Sequence, residues 1–398
     1  MRILIVSTIF ATASKSKIIG GAEVVASSLA QGLASRGHDI LVVRAVSPSS
    51  NAFTEKTDFF SVKHVPIKNG YWPFDQRHRS AAARFLWHFR DDVGTAMPDD
   101  IIADFKPDIM HTHNISGLST GAWRSAKNKS VPILHTLHDY YLLCPRTTMF
   151  RRQNCITLCK TCRALTQRRR IDSTLVDCVV SVSDAVLAAH RTQNIFVDCR
   201  SAVIRNSAPA ALSQIAMLPI GKQVVFGFMG RPTLEKGVFH LIKEFVGNEA
   251  PAKLLVAGDI SSETLTELKQ IAGTKNIEFL GFVDTAQFLA QIHVLIVPSL
   301  WQEPLSIAVL EAQRAGRPVI GSRRGGIPEA IGSDKNGWLF DPGNLGTLTK
   351  IIRDLCSDPE KITEKALRSK SASHVLLEDE FVNSYERLLL DEVGRSSK

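Results

Sequence analysis

Short β-branched stretches alternate with helix-like stretches along this chain, and they do so in two separate series, which leaves few folds open. In the first series, Arg2 to Ile9, Ile40 to Val46, Phe60 to Ile67, Asp108 to His113, Pro132 to His138 and Cys178 to Ser183 read as buried strands bounded by turn residues. Between the first two, Ala22, Val25, Ala26, Leu29, Ala30 and Leu33 recur at helical spacing, and Gly37 stands where a helix C-cap belongs. Ser207 to Gln214 then breaks the pattern with a linker-like composition. A second series follows: Gln223 to Gly230, Lys253 to Gly258, Ile277 to Gly281, His293 to Pro298 and Arg317 to Ser322. The expectation is an α/β chain of two Rossmann-like, doubly wound domains facing a central cleft, with ligands bound at the carboxyl ends of the strands. A length of 398 residues suits two domains, placed at 1–206 and 207–375.

Composition narrows the class. With 44% hydrophobic and 22% charged residues the chain can bury a core in each half, which excludes disorder and fibrous folds. No apolar run reaches the ~18–20 residues that a membrane-spanning helix requires. The apolar opening from Ile3 to Phe10 flows through a glycine pair into an amphipathic helix, so it reads as a first strand rather than a leader. Seven cysteines is an odd number, and four of them crowd into residues 144–162, which points to a reducing, cytoplasmic compartment rather than a disulfide framework.

Charge is unevenly divided. Residues 1–206 carry 27 Lys+Arg against 16 Asp+Glu, while residues 207–398 carry 21 against 23. Between Asp139 and Asp172 no acid occurs, and Arg146, Arg151, Arg152, Lys160, Arg163, Arg168, Arg169 and Arg170 supply eight bases. Such a patch suits an anionic membrane surface or a phosphorylated ligand. A solvated charged face is the competing reading.

The strongest motif follows the strand His293 to Pro298, where Glu303 and Glu311 stand eight residues apart. Pro304 is expected in the first turn of a helix, with Glu303 in the loop and Glu311 two turns in. The backbone N–H groups of Leu305, Ser306 and Ile307 would then be free for a phosphate, and the carboxylates for sugar hydroxyls. After a further strand come Gly325-Gly326-Ile327-Pro328-Glu329 and Asn336-Gly337. In this order the segment resembles the retaining glycosyltransferases of family 4, built on the GT-B fold, which carry a Glu-x7-Glu motif.

The resemblance covers nearly the whole chain. Gly230-Arg231 and Lys236-Gly237 look like the family segment that binds the donor diphosphate, implying that role for Arg231 and Lys236. Two cations beyond a strand can neutralise a leaving diphosphate without a catalytic metal. Gly20-Gly21 resembles the family's glycine loop. Thr136-Leu137-His138-Asp139 resembles its His-Asp segment, implying a hydrogen bond from His138 to the donor sugar with Asp139 orienting the ring. A structural histidine is the rival reading. His111 and His113, at a neighbouring strand end, are candidates for the acceptor site.

The resemblance also implies that Glu311 binds the donor ribose, that Glu303 binds the transferred sugar, and that a helix at 376–398 crosses back to the first domain. The implied co-substrate is a UDP- or GDP-sugar. The implied acceptor is a lipid-linked or polysaccharide intermediate, and nucleic acid is not among the expected partners. The chain departs from the family at Asp259-Ile260-Ser261-Ser262, where a glycine-rich turn is usual. A sugar-nucleotide epimerase of the same fold and a two-lobed solute-binding protein are the alternatives. Finally, Cys144, Cys155, Cys159 and Cys162 suit a structural zinc, with unliganded thiols or an iron–sulfur cluster also open.

Overall fold

The structure is a computed structural model that describes residues 1–12, 20–75, 79–93, 99–332, 334–370 and 375–396. The chain divides into two compact units: Met1–Met149 with Cys155–Ile204 and Asp379–Lys398, and Phe150–Asn154 with Arg205–Glu378.

In the first unit, β1 (Arg2–Ser7), α1 (Gly21–Ser35), β2 (Asp39–Val46), β3 (Phe53–Lys56) and β4 (Ser61–Pro66) come first. They are followed by α2 (Ala81–Val93), α3 (Asp99–Phe105), β5 (Ile109–Thr112), α4 (Gly121–Lys127) and β6 (Ile133–Leu137). Then come α5 (Lys160–Leu165), α6 (Gln167–Asp172), β7 (Cys178–Ser181), α7 (Asp184–Arg191) and β8 (Arg200–Val203). The sheet order is β3-β4-β2-β1-β5-β6-β7-β8, parallel throughout except that β3 pairs antiparallel with β4 at the edge. Ile3, Leu4, Ile5 and Val6 of β1 are fully buried, as a central parallel strand covered on both faces requires. Val25, Ala26, Leu29, Ala30 and Leu33 turn α1 inward, and Gly37 takes the left-handed conformation (φ 85°) just past the helix end.

The second unit contains β9 (Val224–Met229), α8 (Val238–Val246), β10 (Ala252–Ala257), α9 (Ser262–Ala272), β11 (Ile277–Gly281) and α10 (Thr285–Leu289). It continues through β12 (Val294–Val297), α11 (Ile307–Arg314), β13 (Val319–Ser322), α12 (Ile327–Ile331), β14 (Gly337–Phe340), α13 (Thr347–Ser357) and α14 (Glu360–Lys370). The last helix, α15 (Glu378–Ser396), lies with the first unit. The second sheet has the order β11-β10-β9-β12-β13-β14 and is wholly parallel. Phe226, Leu254, Val256, Val294, Ile296 and Ile320 form its core. The strand order reverses between β9 and β12, so the crevice for a ligand opens beyond the ends of these two strands. In the first unit the same reversal falls between β1 and β5.

The expected strands are present, with ends within two residues of those expected. Three strands were not expected from the sequence: β3, β8 and β14, each four residues long. The stretch read as a linker holds a 3-10 turn at Ala210–Gln214, with Leu212 buried. The basic run is also not one surface. Arg169 is fully buried, its guanidinium 3.8 Å from the Tyr141 ring centroid and bonded to the Tyr141 carbonyl, so it belongs to the core of its unit.

Candidate active site

In the second unit the loops after β9 and β12 meet. Lys236 donates from Nζ to both oxygens of Glu303, at 2.7 and 2.9 Å. Glu303 is buried and also accepts from Ser299 Oγ and Trp301 Nε1, each at 2.9 Å. Lys236 Nζ lies 5.4 Å from the Trp301 ring centroid, so ammonium, carboxylate and indole form one cluster. Two candidates 67 residues apart in the chain are thus a single charged unit.

Backbone contacts that only glycine allows bring these loops together. Gly237 has φ 75°, and a Cβ there would lie 1.9 Å from the Pro298 carbonyl oxygen. Gly325 has φ 54°, and its Cβ would lie 2.1 Å from the Glu303 carbonyl oxygen, which accepts from the Gly326 N–H at 2.7 Å. The Gly325-Gly326 turn therefore clamps the segment that carries Glu303. Gly230 N–H bonds the Ala257 carbonyl at 3.0 Å, and a Cβ on Gly258 would lie 2.0 Å from the Gly230 oxygen. Arg231, one residue on, is exposed and has no side-chain partner among the described residues.

The helix start differs from the expectation. α11 begins at Ile307, with Ser306 as its N-cap in an extended conformation (ψ 108°). Pro304 and Leu305 therefore lie outside the helix, and Glu311 is its fifth residue, little more than one turn in. Proline biases the residue before it towards extended backbone, which prolongs the loop at Glu303 and delays the helix. Leu305 and Ser306 are buried and Ile307 is half-buried. Glu311 is half-buried without a side-chain partner among the described residues, and burial pushes its carboxyl up to about 7.

In the first unit, His138 follows β6 and His113 follows β5. His113 Nδ1 and His138 Nε2 are 2.9 Å apart. Asp139 does not orient His138: its carboxylate accepts from the Tyr141 N–H at 2.7 Å and from Asn114 Nδ2 at 3.2 Å. The orienting partner is His113, and the sequence offered only its place at a neighbouring strand end. These residues line a small pocket with Ile115 and Leu142. Desolvation lowers His138 to about 4 and raises Asp139 to about 6. His111 bonds Thr136 Oγ1 at 2.8 Å and stacks 5.5 Å from Tyr385 of α15, so it is a packing residue in the sheet core.

Gly20 is the N-cap of α1, and its N–H donates to Glu23 Oε1 at 2.8 Å. Among the described residues nothing lies within 4 Å of a Cβ built there, and Gly21 is the first helical residue.

Of the four cysteines, Cys144 and Cys162 have their sulfurs 3.8 Å apart, and Cys159 Sγ accepts the Cys162 N–H at 3.5 Å. The Cys155 N–H bonds the Met149 carbonyl. Among the described residues no group of three or more His, Cys, Asp or Glu is arranged to hold a metal ion.

The chain matches two families along its length: Glycosyltransferase Family 4 over residues 19–210 and Glycosyl transferases group 1 over residues 214–372. It is 31% identical to an uncharacterized 42.6 kDa protein in the cps region of Klebsiella pneumoniae, over 83% of this chain and 87% of that protein. Its fold matches sucrose-phosphate synthase from Thermosynechococcus elongatus, with TM-score 0.77 and 16% identity over 98% of this chain and 99% of the other. It also matches Anabaena Alr3699/HepE solved in complex with UDP, with TM-score 0.72 and 19% identity over 98% and 100%. These likenesses favour a transferase over the epimerase and solute-binding alternatives. With two doubly wound parallel sheets and both family matches in sequence, the chain belongs to the family 4 glycosyltransferases of GT-B fold and uses a nucleotide-sugar donor.

Proposed function

We propose that the chain transfers a hexosyl group from a nucleotide diphosphate sugar to an acceptor hydroxyl with retention at the anomeric carbon and without a catalytic metal. The observation that carries this reading is the Lys236–Glu303 cluster at the switch point of the second sheet, with unpartnered Arg231 and Glu311 on the neighbouring segments. Arg231 and Lys236 would stabilise the departing diphosphate in place of a metal. Glu303 would both hold Lys236 and accept sugar hydroxyls, and Glu311 would accept the ribose hydroxyls. Gly230, and the backbone at Leu305, Ser306 and Ile307, would border the diphosphate. His138, held by His113, would donate to the transferred sugar, and Gly20 and Gly21 would leave room beside it. The neighbour solved with UDP supports a UDP-sugar as the first donor to test.

For the acceptor we propose a lipid-linked or polysaccharide intermediate at an anionic membrane surface. The relative in a cps region and the excess of bases before residue 207 support it. No helix among the described residues is long and apolar enough to cross a membrane, so the enzyme would meet such an acceptor from the side.

The test is stereochemical. An α-linked donor should give an α-linked product by NMR, at a rate unchanged by brief EDTA treatment. A β-linked product would sink the retaining mechanism, and activity abolished by EDTA and restored by Mg²⁺ would sink metal independence.

A further inference from the structure

The outward face of α2 carries an apolar stripe that the described residues leave about half exposed or more. Phe85, Leu86, Phe89 and Val93 are 46%, 47%, 54% and 66% exposed. At 3.6 residues per turn they fall within an arc of about 100° along one side of the helix. The opposite side anchors it firmly. Trp87 is buried and donates from Nε1 to the Tyr71 carbonyl at 2.7 Å. Asp91 is buried, and one of its carboxylate oxygens accepts from the Gly117 N–H and from the Tyr141 hydroxyl. The stripe is therefore presented on a helix held rigidly from behind.

Exposed bases stand on the same helix and on its neighbour. Arg84 and Arg90 lie on α2, and Lys160 and Arg163 lie on α5, which packs against α2. Exposed apolar side chains with cations on the same and the adjoining helix suit the boundary between lipid headgroups and acyl chains, where the stripe leaves water and the bases meet anionic headgroups. A second copy docking by the same surface would set these cations against each other, because a twofold contact uses one patch twice.

We infer that the α2 stripe, with the bases of α2 and α5, docks the first unit on an anionic lipid bilayer by shallow insertion of Phe85 and Phe89. The inference rests on the proposed membrane-linked acceptor, but its test does not depend on turnover.

The test is co-sedimentation with phosphatidylcholine vesicles, with and without phosphatidylglycerol, at low and high salt. Wild-type protein should partition onto anionic vesicles, and Phe85→Ser/Phe89→Ser should partition at least ~10-fold less at either salt. Lys160→Ser/Arg163→Ser should lose most of the low-salt preference for anionic lipid. The melting temperature and its rise on adding UDP should be unchanged in both variants, which shows that each is folded. As a second measure, emission from Phe89→Trp should shift to the blue on adding anionic vesicles. Wild-type partitioning by Phe85→Ser/Phe89→Ser, no wild-type binding, unshifted Trp emission, or a dimer that this variant dissociates would each overturn the inference. Vesicle binding without any glycosyl transfer would instead count against the proposed function and leave the docking surface standing.

Discussion

Lys236 Nζ sits between the two carboxylate oxygens of Glu303, so the lysine expected to meet a diphosphate is already held by an anion inside its own unit. An arriving diphosphate would find a cation whose position is fixed and whose charge is half spoken for. Such preorganisation lowers the reorganisation needed when leaving-group charge develops.

Lys236→Ala should therefore lower turnover by at least ~100-fold, through loss of leaving-group stabilisation and displacement of Glu303. Because removal strands a buried carboxylate, folding stability should also fall, by up to ~3 kcal/mol given the partial exposure of the lysine. Lys236→Arg should recover stability before activity. Steady-state kinetics and urea unfolding of both variants check this, and near-normal turnover in Lys236→Ala would remove the residue from the site.

Glu311 gives a pH signature. Its carboxyl is pushed up to about 7 by burial, against 4.5 for a free glutamate, so the folded chain binds its proton more tightly than the unfolded chain does. Stability from this group is present below pH 4.5 and declines as pH rises towards about 7. Donor binding runs the other way, because only the carboxylate accepts two hydroxyl hydrogen bonds. The KM for donor should rise as pH falls through about 7, and Glu311→Gln should have a weaker and pH-independent KM. A wild-type KM that is flat over this range would exclude Glu311 from donor contact.

Two glycines make a paired test of the backbone argument. Gly237→Ala places a methyl 1.9 Å from the Pro298 oxygen at φ 75°, and should cost at least ~2 kcal/mol with loss of turnover. Gly20→Ala meets nothing within 4 Å among the described residues, and its stability should stay within ~0.5 kcal/mol of wild type. Urea midpoints decide both, and equal effects would remove the close approach as the cause.

The buried histidines of the first unit predict acid sensitivity. Desolvation lowers His111 to about 3 and His138 and His190 to about 4, and holds His113 and His135 well below 6.5. Their stabilising contribution is full above pH 6.5 and is lost as pH falls towards about 4, where the unfolded chain binds protons that the folded chain refuses. The urea midpoint of the first unit should drop steeply over that interval. His190→Phe should lessen the slope, and a midpoint independent of pH would show that these rings are solvated.

Much of the architecture was legible because central parallel strands are continuous apolar runs, as in Ile3 to Val6. β3, β8 and β14 escaped because all three are edge strands with few buried positions, whereas the equally short β5, β7, β12 and β13 are interior strands buried throughout. At the site, candidate residues could be read from motifs, but their partnerships could not. Glu303 with Lys236 and His138 with His113 are long-range contacts, whereas adjacency in sequence wrongly suggested Asp139 for His138. The α2 stripe hid in plain composition, since nothing in Phe85, Leu86 and Phe89 says that Trp87 between them takes the inward position.

The placement of α15 has a consequence for synthesis. Val382 lies against Gly32 of α1, close enough that a Cβ there would sit 2.5 Å from a valine methyl, and Tyr385 packs on His111. The first unit thus cannot cover its sheet until α15, which follows the whole of the second unit in the chain, has left the ribosome. The second unit, built largely from the continuous stretch Arg205–Glu378, can close earlier. On a translating ribosome the order of completion would be the reverse of the order of synthesis, with the basic half maturing last.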